Sequence, residues 1–259
     1  MRPHGNGRRP LLSAASGMFV AAVLTAQPFA WAGDAAGGLN KQDIEAIIHD
    51  YIMAHPEVVM DSVQRLRERE QAAKKQQAKV ALSTRQADLF DDRADPVEGA
   101  TVDAVRVVEF FDYRCGFCKR VDPTVMALLK HNPNVRVIFK EFPILGPESA
   151  LAAKAALAAH KQAAYVRFHS SLMGSNEPIT QESLEQLAGT LKLDVARFKA
   201  DMAAPDVHET IERNHALAEA LSISSTPTFV VESELVEGAL DAEALNNLIE
   251  KARTEKTAR

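Results

Sequence analysis

Both cysteines of this chain, Cys115 and Cys118, are separated by only two residues. They lie in the run Val108-Glu109-Phe110-Phe111-Asp112-Tyr113-Arg114-Cys115-Gly116-Phe117-Cys118-Lys119. An apolar, β-prone stretch leads into the pair and a helical pattern follows, so the motif sits at a strand-to-helix junction. There the first sulfur falls at a helix N-terminus, where free backbone N–H groups and the helix dipole stabilise a thiolate. The second sulfur lies one turn in, within reach of a disulfide. The competing reading is half of a zinc site, which needs two further ligands from a second C-x-x-C or an H-x(3–5)-H pair. There is no third cysteine, and His208 and His215 are too widely spaced to form such a pair. The motif is therefore read as a redox-active dithiol, with no metal or other cofactor.

The N-terminus reads as a targeting segment. Arg2, Arg8 and Arg9 form a positive region, residues 11–26 are apolar, and Ala30-Trp31-Ala32 is an A-x-A cleavage site. The apolar run is too short and interrupted for a membrane span. Arg8-Arg9 faintly suggests a twin-arginine signal, but an ordinary secretory signal is the simpler reading. The expected product is soluble in an oxidising periplasm, where the only disulfide available within the chain is the one across the motif. The formal charge is −5, and the leader carries three arginines and no acid, so the remainder is more acidic still. That balance argues against nucleic acid and against a basic membrane-surface patch.

Residues 33–40 read as a flexible leader. Ile44, Ile47, Ile48, Tyr51 and Ile52 have helical spacing over 41–54, and His55-Pro56 breaks that helix. A second helical stretch runs from 57 to about 89. Val59, Leu66, Ala73, Val80 and Ala87 repeat every seven residues, but Val63 alone is apolar at the companion position, so this is half a coiled-coil seam. A solvated spacer helix is the alternative. The apolar face ahead of it still needs a partner, because two helices cannot bury it alone; self-association supplies one. Residues 91–99 read as a linker or turn. Strands are expected over 104–111 and 135–141, with Val135, Val137 and Phe139 on one face, and a helix over 116–129. Residues 148–221 are helical, with breaks at 173–178, 191–194 and 203–206; the Ala-rich helix over 149–164 should pack closely. Strands over 228–232 and 235–238 and a helix over 241–252, with Asp241 as its cap, close the chain.

This layout resembles the DsbA family of thiol–disulfide oxidoreductases, a thioredoxin fold with an inserted helical domain. It is closest to the branch with an N-terminal oligomerisation segment, the suppressor-of-copper-sensitivity C (ScsC) and Com1-like proteins. The resemblance rests on the motif run, on Phe139-Lys140-Glu141-Phe142-Pro143-Ile144-Leu145-Gly146-Pro147, on Ser225-Thr226-Pro227-Thr228-Phe229, and on Asp50-Tyr51-Ile52 with His55-Pro56-Glu57-Val58. It implies an α/β fold organised as a signal peptide (1–32), a helical oligomerisation segment with linker (33–93) and a thioredoxin-fold domain (94–259) whose insertion spans about 148–221. Ser225 stands where the family usually has Gly, and Glu232-Ser233-Glu234 replaces a Gly- or Asn-type turn, which implies a looser hairpin.

The resemblance further implies roles. Cys115 is the exposed nucleophile and Cys118 the buried resolving thiol. Gly116 and Phe117 tune the redox poise and contact substrate, and Thr226-Pro227 is a cis bond beside the cysteines whose exposed backbone pairs with a substrate strand. Glu109, a carboxylate in an apolar strand, is read as a proton acceptor for Cys118 through water, against the alternative of a solvated edge residue. Lys119 and Arg120 read as solvated. The implied partners are cysteine-containing secreted proteins, a membrane redox partner and further copies of the chain, as a trimer. Three functions stand open: disulfide isomerase or reductase, favoured by Gly-Phe, Thr226 and the oligomerising leader; disulfide oxidase; and a Cu(I)-binding protein, since soft thiolates suit Cu(I).

Overall fold

A computed structural model describes residues 40–258. The leader and its cleavage site, including Arg2, Arg8, Arg9, Ala30, Trp31 and Ala32, lie outside the described residues. The chain divides into two compact units, one ending at Val58 and the other beginning at Val59.

In the first unit, α1 (Lys41–Ala54) starts at a capping box. The Asn40 side chain accepts from the Asp43 amide at 3.0 Å, and the Asp43 carboxylate accepts from the Asn40 amide at 3.2 Å. Two of the first-turn donors are thereby satisfied. His55 closes the helix, its amide donating to Tyr51 O. No residue of α1 is buried, although it carries Ile44, Ile47, Ile48, Tyr51, Ile52 and Met53.

The second unit is built on a five-stranded sheet. After α2 (Glu57–Thr84) and α3 (Gln86–Phe90) come β1 (Val97–Gly99), β2 (Val105–Phe111), α4 (Gly116–His131) and β3 (Val135–Glu141). The insertion is α5 (Pro147–His160), α6 (Tyr165–Gly174), α7 (Gln181–Thr190), α8 (Val195–Met202) and α9 (Pro205–Ala220); β4 (Thr228–Val231), β5 (Glu234–Glu237) and α10 (Ala242–Thr257) complete it. The strand order is β1-β3-β2-β4-β5, with β2 and β3 parallel and the other pairs antiparallel. β2 lies at the centre and is covered on both faces, which is why its sequence is almost continuously apolar. Val107 and Phe111 pack in one core with Val121 and Val125 of α4 and Leu245 and Ile249 of α10. Val108 and Phe110 face the opposite core, with Ile138, Phe142 and Leu217.

The backbone departs from the sequence reading in the following places. First, the fold takes in residues ahead of 94. Ala81, Leu82, Leu89 and Phe90 are buried in the same core as Val108 and Phe110, so the stretch assigned to an oligomerisation segment and linker also supplies sheet cover. The buried Lys140 ammonium bonds to Asp88 O at 2.6 Å and to the buried Asp95 carboxylate, the Arg106 guanidinium lies 3.9 Å from the Phe90 ring centre, and Arg213 pairs with Asp92 at 2.9 Å. Second, the linker holds a strand. β1 pairs Val97 with Ile138, too briefly to show a periodicity. It ends at Gly99 (φ +100°), where a Cβ would lie 2.3 Å from Val135 O. Third, the Ala-rich helix stops at His160, and Ala163 takes a positive φ of 55°.

The β4–β5 hairpin is tied down rather than loose. Glu232 (φ 51°) receives the Arg106 amide at 2.9 Å and the Arg106 guanidinium at 2.6 Å, while its own amide donates to Arg106 O. A bidentate, half-buried pair does here what a glycine turn does elsewhere.

Candidate active site

Cys115 is the N-cap of α4, with extended backbone (φ −74°, ψ 112°). Its amide donates to Asp112 O at 3.0 Å, and its carbonyl accepts from Lys119, the first full helical bond. The Cys118 amide donates to Cys115 Sγ at 3.4 Å, so one of the helix's free N–H groups is aimed at the sulfur. The Cys115 thiol donates to Thr226 O at 3.2 Å, and the Thr226–Pro227 bond is cis. Both cysteines are free thiols. Cys115 is 6% exposed and Cys118 not at all, so the expected freely exposed sulfur is instead a nearly covered one, with the Thr226 loop lying over it. Gly116 and Phe117 are exposed between them. Burial pushes the Cys118 thiol well up, and the Glu109 and Cys115 charges push it further.

Glu109 is buried, so the edge-residue alternative fails. It shares the β2 face of Val107 and Phe111, under α4. Among the described residues no hydrogen-bond partner faces its carboxyl. Burial, then Asp122, then Cys115 push its proton affinity up to about 8. A carboxyl that changes charge near neutrality, coupled to both sulfurs, can exchange a proton with the dithiol.

Several groups that the sequence reading did not single out complete the site. Asp112 is buried and accepts four hydrogen bonds. Arg114 N (2.7 Å) and Ser149 Oγ (2.8 Å) reach Oδ1; Ile144 N (2.8 Å) and Leu145 N (3.0 Å) reach Oδ2. One carboxylate thus fastens the dithiol turn to the loop before α5. That loop presents Ile144 and Leu145 to solvent, and Arg114 bonds to Leu145 O at 2.5 Å. A second cluster joins Tyr113, Glu141, Tyr165, His169 and Asp122. Burial pushes the Glu141 carboxyl well above its usual range. The Asp112 position immediately after an apolar strand and Glu141 at the end of another were legible signals; the partners across 24 to 56 residues were not. Lys119, read as solvated, donates to Ser175 O, and Arg120 stacks on Phe117 with its guanidinium carbon 4.3 Å from the ring centre. No group of three or more His, Cys, Asp or Glu among the described residues is arranged to hold a metal.

A cysteine pair at a helix N-terminus, on a thioredoxin-type sheet with a helical insertion, defines a thiol–disulfide oxidoreductase. The DSBA-like thioredoxin domain matches residues 106–250, and the copper resistance protein ScsC N-terminal domain matches residues 40–73. The chain belongs to the DSBA-like thioredoxin family and is of the DsbA/ScsC type. A thioredoxin-like oxidoreductase from Silicibacter pomeroyi DSS-3 is 40% identical, with a TM-score of 0.63 over 65% of this chain and 97% of that one. A linker-deletion variant of Proteus mirabilis ScsC is 26% identical, with a TM-score of 0.63 over 86% of this chain and 99% of its own. The Na(+)/H(+) antiporter NhaA 3 of Salinispora tropica is 31% identical over 164 residues, covering 62% of this chain; the chain spans only 25% of that antiporter's length.

Proposed function

We propose that the protein exchanges disulfides in cysteine-containing secreted proteins of the periplasm, acting as an isomerase or reductase. Cys115 is the nucleophile, Cys118 the resolving thiol and Glu109 the proton acceptor. The observation that carries the site assignment is the asymmetry of the pair. Cys115 caps a helix with a backbone N–H aimed at its sulfur, whereas Cys118 is sealed in the core with its thiol pushed up.

The chemistry follows from that asymmetry. Cys115 thiolate attacks a client disulfide, forming a mixed disulfide and releasing one client thiolate. Where the client rearranges, that thiolate attacks a second client disulfide and frees a different client thiolate, which then attacks the client sulfur of the mixed disulfide, so that a new client disulfide forms and Cys115 leaves with the electron pair. Where it does not, Cys118 gives its proton to Glu109 and attacks Cys115 Sγ. The Cys115–Cys118 disulfide forms, and the second client sulfur leaves as thiolate, so the client is reduced and the dithiol oxidised. A membrane redox partner returns the two electrons. Thr226 supplies backbone for an extended client strand beside the sulfur, and Phe117, Ile144 and Leu145 supply apolar contact.

Isomerisation gains from several Cys115 sites around one client, since tethering raises their effective concentration. The bare apolar face of α1 and the ScsC N-terminal match favour assembly through this segment, as a trimer. The test is reactivation of scrambled, oxidised ribonuclease by the reduced protein. Recovery that needs Cys115, together with a trimeric mass by light scattering, is the expected result. Oxidation of reduced ribonuclease without reactivation of the scrambled form would make the protein an oxidase, and Cu(I) uptake with neither activity would make it a copper-binding protein.

A further inference from the structure

His169 sits at the centre of α6, sealed from solvent, with both ring nitrogens engaged. Nδ1 is 3.0 Å from the Tyr113 hydroxyl, and Nε2 is 3.0 Å from Asp122 Oδ1. Its ring is boxed by Phe111 and Phe139, with centres 4.9 and 5.0 Å away, and by Tyr165, stacked at 5.5 Å. The Tyr113 and Tyr165 hydroxyls both reach Glu141 Oε1, at 3.1 and 2.8 Å. Asp122 is four residues beyond Cys118, on the same face of α4, and that face lies over Glu109. A hydrogen-bonded chain therefore runs from the end of β3 to α4, through Glu141, Tyr113, His169 and Asp122, and the Asp122 charge acts on Glu109 beneath the dithiol.

The chain has one direction. Nε2–H donates to Asp122 whatever the charge of the ring, because a carboxylate can only accept. The Tyr113 hydroxyl, which also reaches Glu141, is the partner of the other nitrogen, and partners behind a histidine commonly fix its tautomer. The imidazole thus supplies Asp122 with a buried donor, without which that carboxylate would have no partner in the core. Asp122 with its charge intact is the neighbour that most opposes ionisation of Glu109.

We propose that His169 is a positioning residue for the dithiol: by donating to Asp122 it holds that carboxylate in place on the face of α4 above Glu109, and so sets the pH at which Glu109 takes the Cys118 proton. This rests on the reading of Glu109 as proton acceptor. The titratable groups facing Glu109 are Asp122, Cys115 and Cys118; those facing His169 are Tyr113, Tyr165, Glu141 and Asp122. Asp112 and Asp95 act on Glu141 from further off. Among the described residues β4 and α10 bring only apolar side chains to this core, Phe229, Val231, Leu245, Ile249 and Ala252 with partly buried Leu248.

The test follows release of two thionitrobenzoates from 5,5′-dithiobis(2-nitrobenzoate). The first departs when Cys115 attacks. The second departs when Cys118, its proton passed to Glu109, closes the protein disulfide and the electron pair leaves with the reagent thiolate. The pH profile of the second phase reads the proton transfer. His169→Leu and Asp122→Asn should move its acid limb down by roughly one pH unit, the size of a neighbouring-charge effect. His169→Gln, whose amide can donate to Asp122 and accept from Tyr113, should return it. Glu109→Gln should remove the limb, and His169→Leu on that background should do nothing more. An unmoved limb in His169→Leu, a failure of Gln to restore it, or a shift that persists without Glu109 overturns the proposal. A limb that survives Glu109→Gln instead overturns the base assignment itself. Should His169→Leu not fold, Asp122→Asn decides: a wild-type limb there overturns the proposal equally.

Discussion

Helices α1 and α5 are each 14 residues long and could hardly differ more in what covers them. α1 carries large apolar side chains at helical spacing and buries none of them. α5 is half alanine and buries eight residues. Ala152, Ala155, Ala156, Ala158 and Ala159 face the main core, while Ala153 and Leu157 turn to Val207 and Ile211 of α9. The difference teaches that side-chain size does not place a helix in a core. Small side chains let backbones approach and be enclosed on all sides. Large ones on a single face demand a partner.

The sharpest way to test that contrast is to remove the N-terminal helices at two different points. A chain beginning at Ala78 should keep a folded oxidoreductase unit. One beginning at Ala94 also loses Leu82, Leu89 and Phe90 and strips Lys140 of the Asp88 carbonyl, and it should be destabilised by about 5 kcal/mol or more, enough to unfold many domains. Urea denaturation followed by circular dichroism separates the two; equal midpoints would mean that the α3 segment is mere linker. A single substitution asks the same question more gently. Phe90→Ala should cost about 3–5 kcal/mol.

Glu109→Gln should act with a particular sign. The folded carboxyl takes its proton near 8 against an ordinary 4.5, so between those values the folded state holds a proton that the unfolded chain has released. Folding then weakens as pH rises through that window. The variant should lack this loss and exceed wild type by roughly 2–4 kcal/mol at pH 9, while matching it near pH 4. Parallel pH profiles of the urea midpoint would contradict burial of the charge. The smallest effect on the fold should come from α1. Ile47→Asp with Ile48→Asp should change the stability of the catalytic unit by less than about 0.5 kcal/mol, as surface changes do. The assembly should nevertheless fall to monomers by light scattering, and reactivation of scrambled ribonuclease should fall with it. A pair of aspartates that leaves the mass unaltered would show that this face is not the joint.

Much of the fold was legible because it is local. β3 runs over 135–141 as read, and β2 begins one residue later than expected at Val105, because continuous β-branched and aromatic runs bounded by turns admit little else. The Asp241 cap forms as expected, its side chain accepting from the Ala244 amide at 2.8 Å. The edge strand β1 was not legible. Three exposed residues carry no periodicity, and Val97 becomes a strand only because Ile138 offers an unpaired edge. The same divide runs through the site. The dithiol, Glu109 and the Thr226–Pro227 turn were each visible as residues in short motifs. The partners that Asp112 and Glu141 find across the fold, among them Ser149, Tyr165 and the His169–Asp122 pair, were not, because no spacing rule links a strand end to the middle of a helix two elements away.

By itself, then, the chain determined where its two sulfurs sit. Two sulfurs one helical turn apart, at a junction that creates a helix N-terminus, are fixed by backbone geometry over a few residues. The tertiary structure decided how those sulfurs differ and which buried groups lie beside them. Burial, and the charge of a carboxylate held by a distant histidine, depend on which side chains close packing brings together. Such energies grow steeply as water is excluded, so they belong to the folded molecule and not to any segment of it.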